Sequence, residues 1–270
     1  MSTRITNIWQ RDSAASKERA ERLRRSWSRL SSSTLSLIGF LMIVLVIVSA
    51  ILAPYIAPYP EDAKGATHFE QQSEPPSLDH LMGTDTIGRD IFSRVLFGAR
   101  ISLLMGITVL TIAIGIGVPL GLTAGYLGGK VNIVIMRVTD IFLAIPPTLL
   151  ALAVVAATKP TLWNAMIAIS FSWWPWYTRL VQGEVLSIKE EEFVKASQSV
   201  GSGWVRVAFK EILPNLISPL TVKATLDMGF VILVDAGLAF LGLGARPPTP
   251  SWGVMIAHGR DTVTNFWWFA

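Results

Sequence analysis

Three ionisable residues, Lys223, Asp227 and Asp235, lie inside an apolar run from about Leu216 to Leu243. Charged groups at membrane depth are costly and normally face a bundle interior or a wet pathway, so they are functional candidates. Lys223 and Asp227 are one helical turn apart and can neutralise each other as an ordinary structural pair. Asp235 has no such partner in its own run. Metal chemistry finds no support: His68, His80 and His258 are scattered without ligand spacing, and cysteine is absent. There is no Gly-rich loop ending in Gly-Lys-Ser/Thr to cradle a nucleotide. An intramembrane hydrolase would need a nucleophile–base pair or paired ligands such as His-Glu-x-x-His. The apolar runs contain no histidine. No catalytic residue and no metal ligand is therefore expected.

The elements that must hold these residues are membrane helices. The chain has 270 residues, of which 51% are hydrophobic and 16% charged, with a mean hydropathy of +0.49. A soluble domain would carry about 25% charged residues. The apolar residues gather into runs long enough to cross about 30 Å of hydrocarbon. The chain reads as an all-α polytopic membrane protein, and a soluble helical domain with a large core fits poorly. Arg4, Arg11, Lys17, Arg19, Arg22, Arg24, Arg25 and Arg29 all precede the first run. A basic tail can bind nucleic acid, but directly before a span it more often marks the cytoplasmic side. No nucleic-acid partner is expected.

Taken in order, residues 1–33 form a basic cytoplasmic tail, with an amphipathic helix expected around Ala14 to Leu30. The first span is Thr34–Ile56, longer than the roughly 7–15 apolar residues of a signal peptide and so a retained anchor. Residues 57–100 form an outer loop. In its second half Asp85, Arg89, Asp90, Arg94 and Arg100 alternate with Ile87, Ile91, Phe92, Val95, Leu96 and Phe97, which predicts an amphipathic helix on the membrane surface. A solvated face with weak local ion pairs explains the charges as well. Residues 101–243 form a four-helix core. In the second span, about Ile101–Leu127, Gly117, Gly121 and Gly125 recur every four residues and permit close approach of a neighbouring helix; Pro119 should kink it.

The third span, about Ile133–Thr158, pairs Arg137 with Asp140 near one end and is broken by Pro146 and Pro147. Irregular backbone at that depth is tolerated only against protein or a wet cavity, so Pro146, Pro147, Asp227 and Asp235 are the pathway candidates. The fourth span, about Leu162–Val181, carries Trp173, Trp174, Trp176 and Tyr177, which an interfacial aromatic belt explains without a ligand. Arg179 should reach headgroups or the loop that follows. The fifth span is about Leu216–Leu243, and residues 244–270 lie outside again. Fifteen of the 23 Lys and Arg fall in segments placed inside by this scheme, in agreement with the positive-inside rule.

Between the fourth and fifth spans lies a polar, basic segment, 182–215. Its part FVKASQSVGSGWVRVAFKEILPNLISPL reads as helix, tight turn, helix. Gly201 can adopt the left-handed conformation that closes the first helix. The second helix, Trp204 to Ile212, should stop at Pro214. The spacing of Ala196, Gly201 and Leu213-Pro214 resembles the cytoplasmic "EAA" loop of ABC importer permeases. Lys195 stands at that family's glutamate, Ser197 at its second alanine and Glu211 at its isoleucine. The stretch HLMGTDTIGRDIFSRVLFGARISLL resembles the signature of the di- and oligopeptide branch, as does DAGLAFLGLGARPPTPSWG.

The resemblance implies a type I ABC importer permease fold, with five spans visible here and a sixth expected but absent from this chain. It implies that Phe193, Val194, Lys195, Ala196, Ser197, Gly201, Leu213 and Pro214 form the coupling element. The implied partners are a second homologous permease, two ATPase subunits, an extracytoplasmic substrate-binding protein and the lipid bilayer. ATP and magnesium would sit on the ATPases, with no cofactor on this chain. The implied location is a bacterial or archaeal plasma (inner) membrane, with the N-terminus cytoplasmic. Peptides are the implied cargo; nickel, glutathione and oligosaccharides travel through similar permeases. An intramembrane hydrolase or a non-transporting membrane scaffold is the reading from another class.

Overall fold

Asp90 opens the longest helix: its side chain accepts a hydrogen bond from the Ser93 N–H, satisfying a donor that a helix start leaves free. The computed structural model describes residues 31–159, 161–244, 248–260 and 262–269. The predicted amphipathic helix around Ala14 to Leu30 lies outside them. The main described elements in order are α1 (Thr34–Ile56), α2 (Ile91–Leu127), α3 (Gly129–Leu143), α4 (Pro147–Ala156), α5 (Leu162–Ile188), α6 (Glu192–Ser199), α7 (Leu213–Phe240) and α8 (Trp252–Arg260). Among the described residues there is no strand, only an isolated bridge between Thr84 and Asp90.

The chain divides into two units, residues 1–52 and 53–270. In the first, α1 exposes apolar side chains all round, including Leu35, Leu41, Met42, Ile43, Leu45 and Ile51. A helix without a polar face is matched to lipid rather than water. In the second unit, the last turn of α1 contributes Ala53, which packs with Ala57 and Leu96.

The centre of the second unit is the pairing of α2 with α5. Gly117, Gly121 and Gly125 meet the ridge Tyr177, Val181 and Val185. A Cβ on them would lie 2.6 Å from the Tyr177 Cβ, 2.7 Å from the Val181 Cβ and 2.7 Å from the Val185 Cβ respectively. The two backbones approach because no side chain intervenes. Val109, Ala113, Ala165, Ile169 and Val231 extend this core. The four aromatic residues divide: Trp173, Trp174 and Tyr177 are buried and Trp176 is exposed. Three of the four belong to the packed core rather than to an interfacial belt.

Among the described residues, three helices are long and apolar enough to cross a membrane: Thr34–Ile56, Ile91–Leu127 and the continuous Trp204–Phe240. The bent pair α3–α4 makes a fourth if it counts as one span. Five were expected, and the difference is α5. It has 27 residues, but Asn164, Arg179, Gln182 and Glu184, together with Pro175 and the Trp cluster, lower its hydropathy. Ser170, Ser172 and Thr178 donate to carbonyls one turn back, which lets a buried helix carry polar groups.

Several expectations are corrected. The amphipathic helix does not include 85–90: that segment is a tight loop, and the helix starting at Ile91 runs without a break into the span. Asp85 makes the loop, accepting from the N–H groups of Ile87 and Arg89 at 3.0 Å each. These local bonds compete with helix. Pro214 does not end a helix either. The chain is helical from Trp204 to Phe240, and Val207–Ile212 is a π-helix in which the Leu213 N–H bonds the Ala208 carbonyl. The wider π turn accommodates a residue that lacks an N–H and would crowd the carbonyl four residues back. Finally, Asp140 pairs with Arg179 of α5, not with Arg137 of its own helix. A partner across a helix contact wins over a local one when packing sets the side chains.

Candidate functional site

Two constructions stand out, at opposite ends of α2. The first is the hairpin between α5 and α7. Glu191 precedes α6, and its carbonyl accepts from Val194 and Lys195. Four residues after Val194 the hairpin begins to close. The Ser202 N–H bonds the Ser197 carbonyl and the Gly201 N–H bonds the Gln198 carbonyl, with Gly201 at φ +82°. This is the Schellman arrangement, which needs a left-handed residue and so favours glycine. Val194 is fully buried against a cluster containing Val181, Val185, Val207, Ile212 and Leu216. It is the one apolar anchor of α6.

On the other side of α6, Phe193, Ala196 and Val200 are exposed, Val200 at 82%. They are spaced three and four apart, so they share a face. An apolar face on an otherwise polar helix suits a protein partner. Lys195 is exposed and pairs with Glu190 at 3.2 Å, Ser197 is half-buried, and Leu213 and Pro214 lie beyond the π turn at the start of α7. Thus Phe193, Ala196 and Gly201 are displayed together, Val194 is an internal anchor, and Leu213 and Pro214 belong to the rod that carries the hairpin.

Sequence reasoning did not include three residues here. Val200 completes the exposed face, and its place seven residues after Phe193 could have revealed it. Gln198 donates to the Tyr126 hydroxyl at 3.1 Å, and the Lys189 Nζ reaches the Gly125 carbonyl at 3.5 Å. These join the hairpin to the end of α2 across more than 60 residues of sequence, and no local pattern announces them.

The second construction is a polar knot where the 57–90 loop enters α2. Asp62 is fully buried; its carboxylate accepts from the Asp90 N–H at 2.7 Å and lies 3.0 Å from His68 Nε2. Asp90 in turn lies 3.0 Å from His80 Nδ1. Arg94 donates to the Asp62 carbonyl at 3.2 Å, and Arg89 holds Asp85 at 2.7 Å. At Gly88, φ is +80° and a Cβ would lie 1.8 Å from the His68 carbonyl oxygen, so only glycine fits. Trp252 of α8 donates to the Val95 carbonyl at 3.0 Å, and Trp268 to that of Thr84 at 3.4 Å. Buried charges survive when paired and hydrogen-bonded, and the knot meets that condition with a rigid surface. His68 and His80 work here as hydrogen-bonding partners of carboxylates.

Of the pathway candidates, Asp227 and Asp235 lie on α7, and Pro146 and Pro147 lie at the corner between α3 and α4. Asp227 and Asp235 lie on the buried face of α7 with Val231 and Leu238, whereas Val222, Leu226, Phe230 and Leu233 occupy the open face. Lys223 holds Asp227 at 2.6 Å. Asp227 Oδ2 and Asp235 Oδ1 have no hydrogen-bond partner among the described residues. Pro146 and Pro147 form the corner between α3 and α4, which bend by 81°. Pro147 occupies a first-turn position, where its missing N–H is harmless. Among the described residues no cluster of three or more His, Cys, Asp or Glu could hold a metal.

The comparisons with known proteins agree on one family. A family model described as "binding-protein-dependent transport system inner membrane component" matches residues 117–266, and one described as the "N-terminal TM domain of oligopeptide transport permease C" matches residues 22–76. A dipeptide transport system permease protein of Alkalihalophilus pseudofirmus is 41% identical over 245 residues, covering 91% of this chain and 80% of that protein. A probable D,D-dipeptide transport system permease protein of Escherichia coli is 41% identical over 240 residues, covering 89% and 80%. A di/tripeptide transport system permease protein of Pseudomonas aeruginosa is 40% identical over 252 residues, covering 91% and 82%.

Proposed function

The chain belongs to the binding-protein-dependent transport system inner membrane component family, and from that premise we propose that it is a peptide permease driven through its α6 hairpin. It is a transmembrane transport subunit of the type I ABC permease fold. Di- or oligopeptides are the proposed cargo, in keeping with the named cargo of the relatives. ATP is bound and hydrolysed with magnesium on two partner subunits. A second, similar permease completes the pathway, and an extracytoplasmic binding protein delivers the cargo. The N-terminus and the hairpin are cytoplasmic, as the excess of Lys and Arg in those segments favours. The protein sits in a bacterial inner membrane.

The observation that carries this reading is the exposed face Phe193–Ala196–Val200 on a hairpin that joins α5 directly to α7. A partner gripping that face can move both helices as one body, the kind of transition that alternates access. Gly201 closes the grip, and the Val194 anchor prevents α6 from rolling independently. The polar knot at the opposite end of α2 supplies a rigid surface suited to the binding protein.

The chain has no cysteine, so an introduced one is unique. Ala196→Cys in the assembled transporter should cross-link to an ATPase subunit and resist a membrane-impermeant thiol reagent added outside intact cells. Labelling from outside, or cross-linking to no other subunit, would refute the assignment.

A further inference from the structure

A cleft of about 540 Å³ opens at the end of α2 that carries the polar knot. Its rim holds two cations, Lys64 and Arg100, and its wall and floor are apolar, formed chiefly by Phe97, Ile101 and Leu104. Thr249 adds a hydroxyl, and among the described residues no carboxylate lines the space. Both cations are exposed, and neither has an ion-pair partner among the described residues. The surrounding cations behave differently: Arg89 and Arg94 are buried and engaged with Asp85. The walls are firmly built. A Cβ on Gly65 would lie 2.8 Å from the Pro248 Cβ, so the loop bearing Lys64 presses against the segment bearing Thr249. Trp252 pins that segment's helix to α2.

We propose that this cleft binds the phosphate headgroup of an anionic membrane lipid. Its depth is the first argument. Arg100 is the last charged residue before Ile101–Leu127, which contains none, so its guanidinium stands at the boundary between headgroups and hydrocarbon, where cations on apolar stems settle. The second argument is the floor. Below Arg100 on the same helical face, Leu104 is 45% exposed and Ile107 54% exposed. They continue the cleft into an apolar track for an acyl chain. A soluble anion would gain nothing from that track, whereas a phospholipid fills both parts. Basic pockets beside membrane helices select anionic headgroups by this combination. The volume is within the roughly 300–1,000 Å³ of small-ligand sites. With the hairpin cytoplasmic, the cleft faces the outer leaflet, where two unpaired cations run against the positive-inside bias. A ligand that neutralises them accounts for their place.

The test uses the assembled transporter in nanodiscs of phosphatidylcholine with a minor fraction of phosphatidylglycerol. After extraction into mild detergent, native mass spectrometry counts retained lipids. Phosphatidylglycerol should be retained, and Lys64→Gln/Arg100→Gln should lower its retention roughly 10- to 30-fold while phosphatidylcholine is unchanged. The charge-preserving Lys64→Arg/Arg100→Lys should retain it, which controls for misfolding. Equal retention by the Gln double variant overturns the proposal. So does competition by soluble glycerol phosphate at equal strength, which would mean a free-anion site. The readout is lipid mass and not uptake, so it stands even if the peptide cargo assignment fails.

Discussion

Gln198 in the hairpin donates a hydrogen bond of 3.1 Å to the hydroxyl of Tyr126, one residue before the end of α2. The contact ties the end of α2 to the hairpin. α2 has 37 residues, about 55 Å at 1.5 Å per residue. It starts in the polar knot and ends beside the hairpin. The hypothesis is that movement at either end is passed along it. Tyr126→Phe should lower transport per ATP hydrolysed in reconstituted vesicles while shifting stability by less than about 1 kcal/mol, as for an exposed hydrogen bond. An unchanged ratio would show that the Tyr126–Gln198 bond takes no part in coupling.

Among the described residues nothing lies within 4 Å of a Cβ at Gly201, so its φ of +82° is what restricts substitution. Gly201→Val should distort the hairpin and uncouple ATPase activity from uptake, because a β-branched residue resists positive φ. Gly201→Asn should retain most coupling, since asparagine tolerates this region. If both variants transport normally, the turn geometry is irrelevant to the mechanism.

A methyl group added at Gly121 would sit 2.7 Å from both the Thr178 carbonyl oxygen and the Val181 Cβ, neither of which is free to swing away. Gly121→Ala should destabilise the transporter by roughly 1–3 kcal/mol through overpacking. A Cβ on Gly115, on the same helix, would have nothing within 4 Å among the described residues, and Gly115→Ala should be neutral or slightly stabilising. Thermal unfolding in one detergent compares the two; similar melting temperatures would rule out the close-approach account.

Lys223 and Asp227 are unequal partners, with side chains 30% and 3% exposed. Lys223→Met leaves a buried carboxylate uncompensated and should cost about 3–5 kcal/mol. Adding Asp227→Asn should recover much of it. A double variant as unstable as Lys223→Met alone would mean that the pair contributes nothing through charge.

What local chemistry governs was legible in the linear chain. Runs of apolar residues announced membrane helices because burying backbone in lipid demands helix. Gly201 announced a left-handed turn, and the four-residue recurrence of Gly117, Gly121 and Gly125 marked a face able to accept another backbone. Lys223 and Asp227 were one turn apart, close enough to meet without help from the fold. The hairpin was visible because a polar segment between two apolar ones has nowhere else to go.

Tertiary structure decided the matters that depend on distant partners. Asp140 chose Arg179 over Arg137, and Tyr126 found Gln198, because helix packing brought those pairs together. The chain passed through Pro214 because a π turn widened around it, an adjustment that single-residue preferences do not report. Asp90 caps a helix rather than riding on one, since Asp62, 28 residues away, and His80, ten residues away, were there to receive it. Asp227 and Asp235 face protein, not the open face of α7, because rotation about a helix axis is set by its neighbours. Residue spacing sets which side chains share a face; only the assembled bundle sets what that face meets.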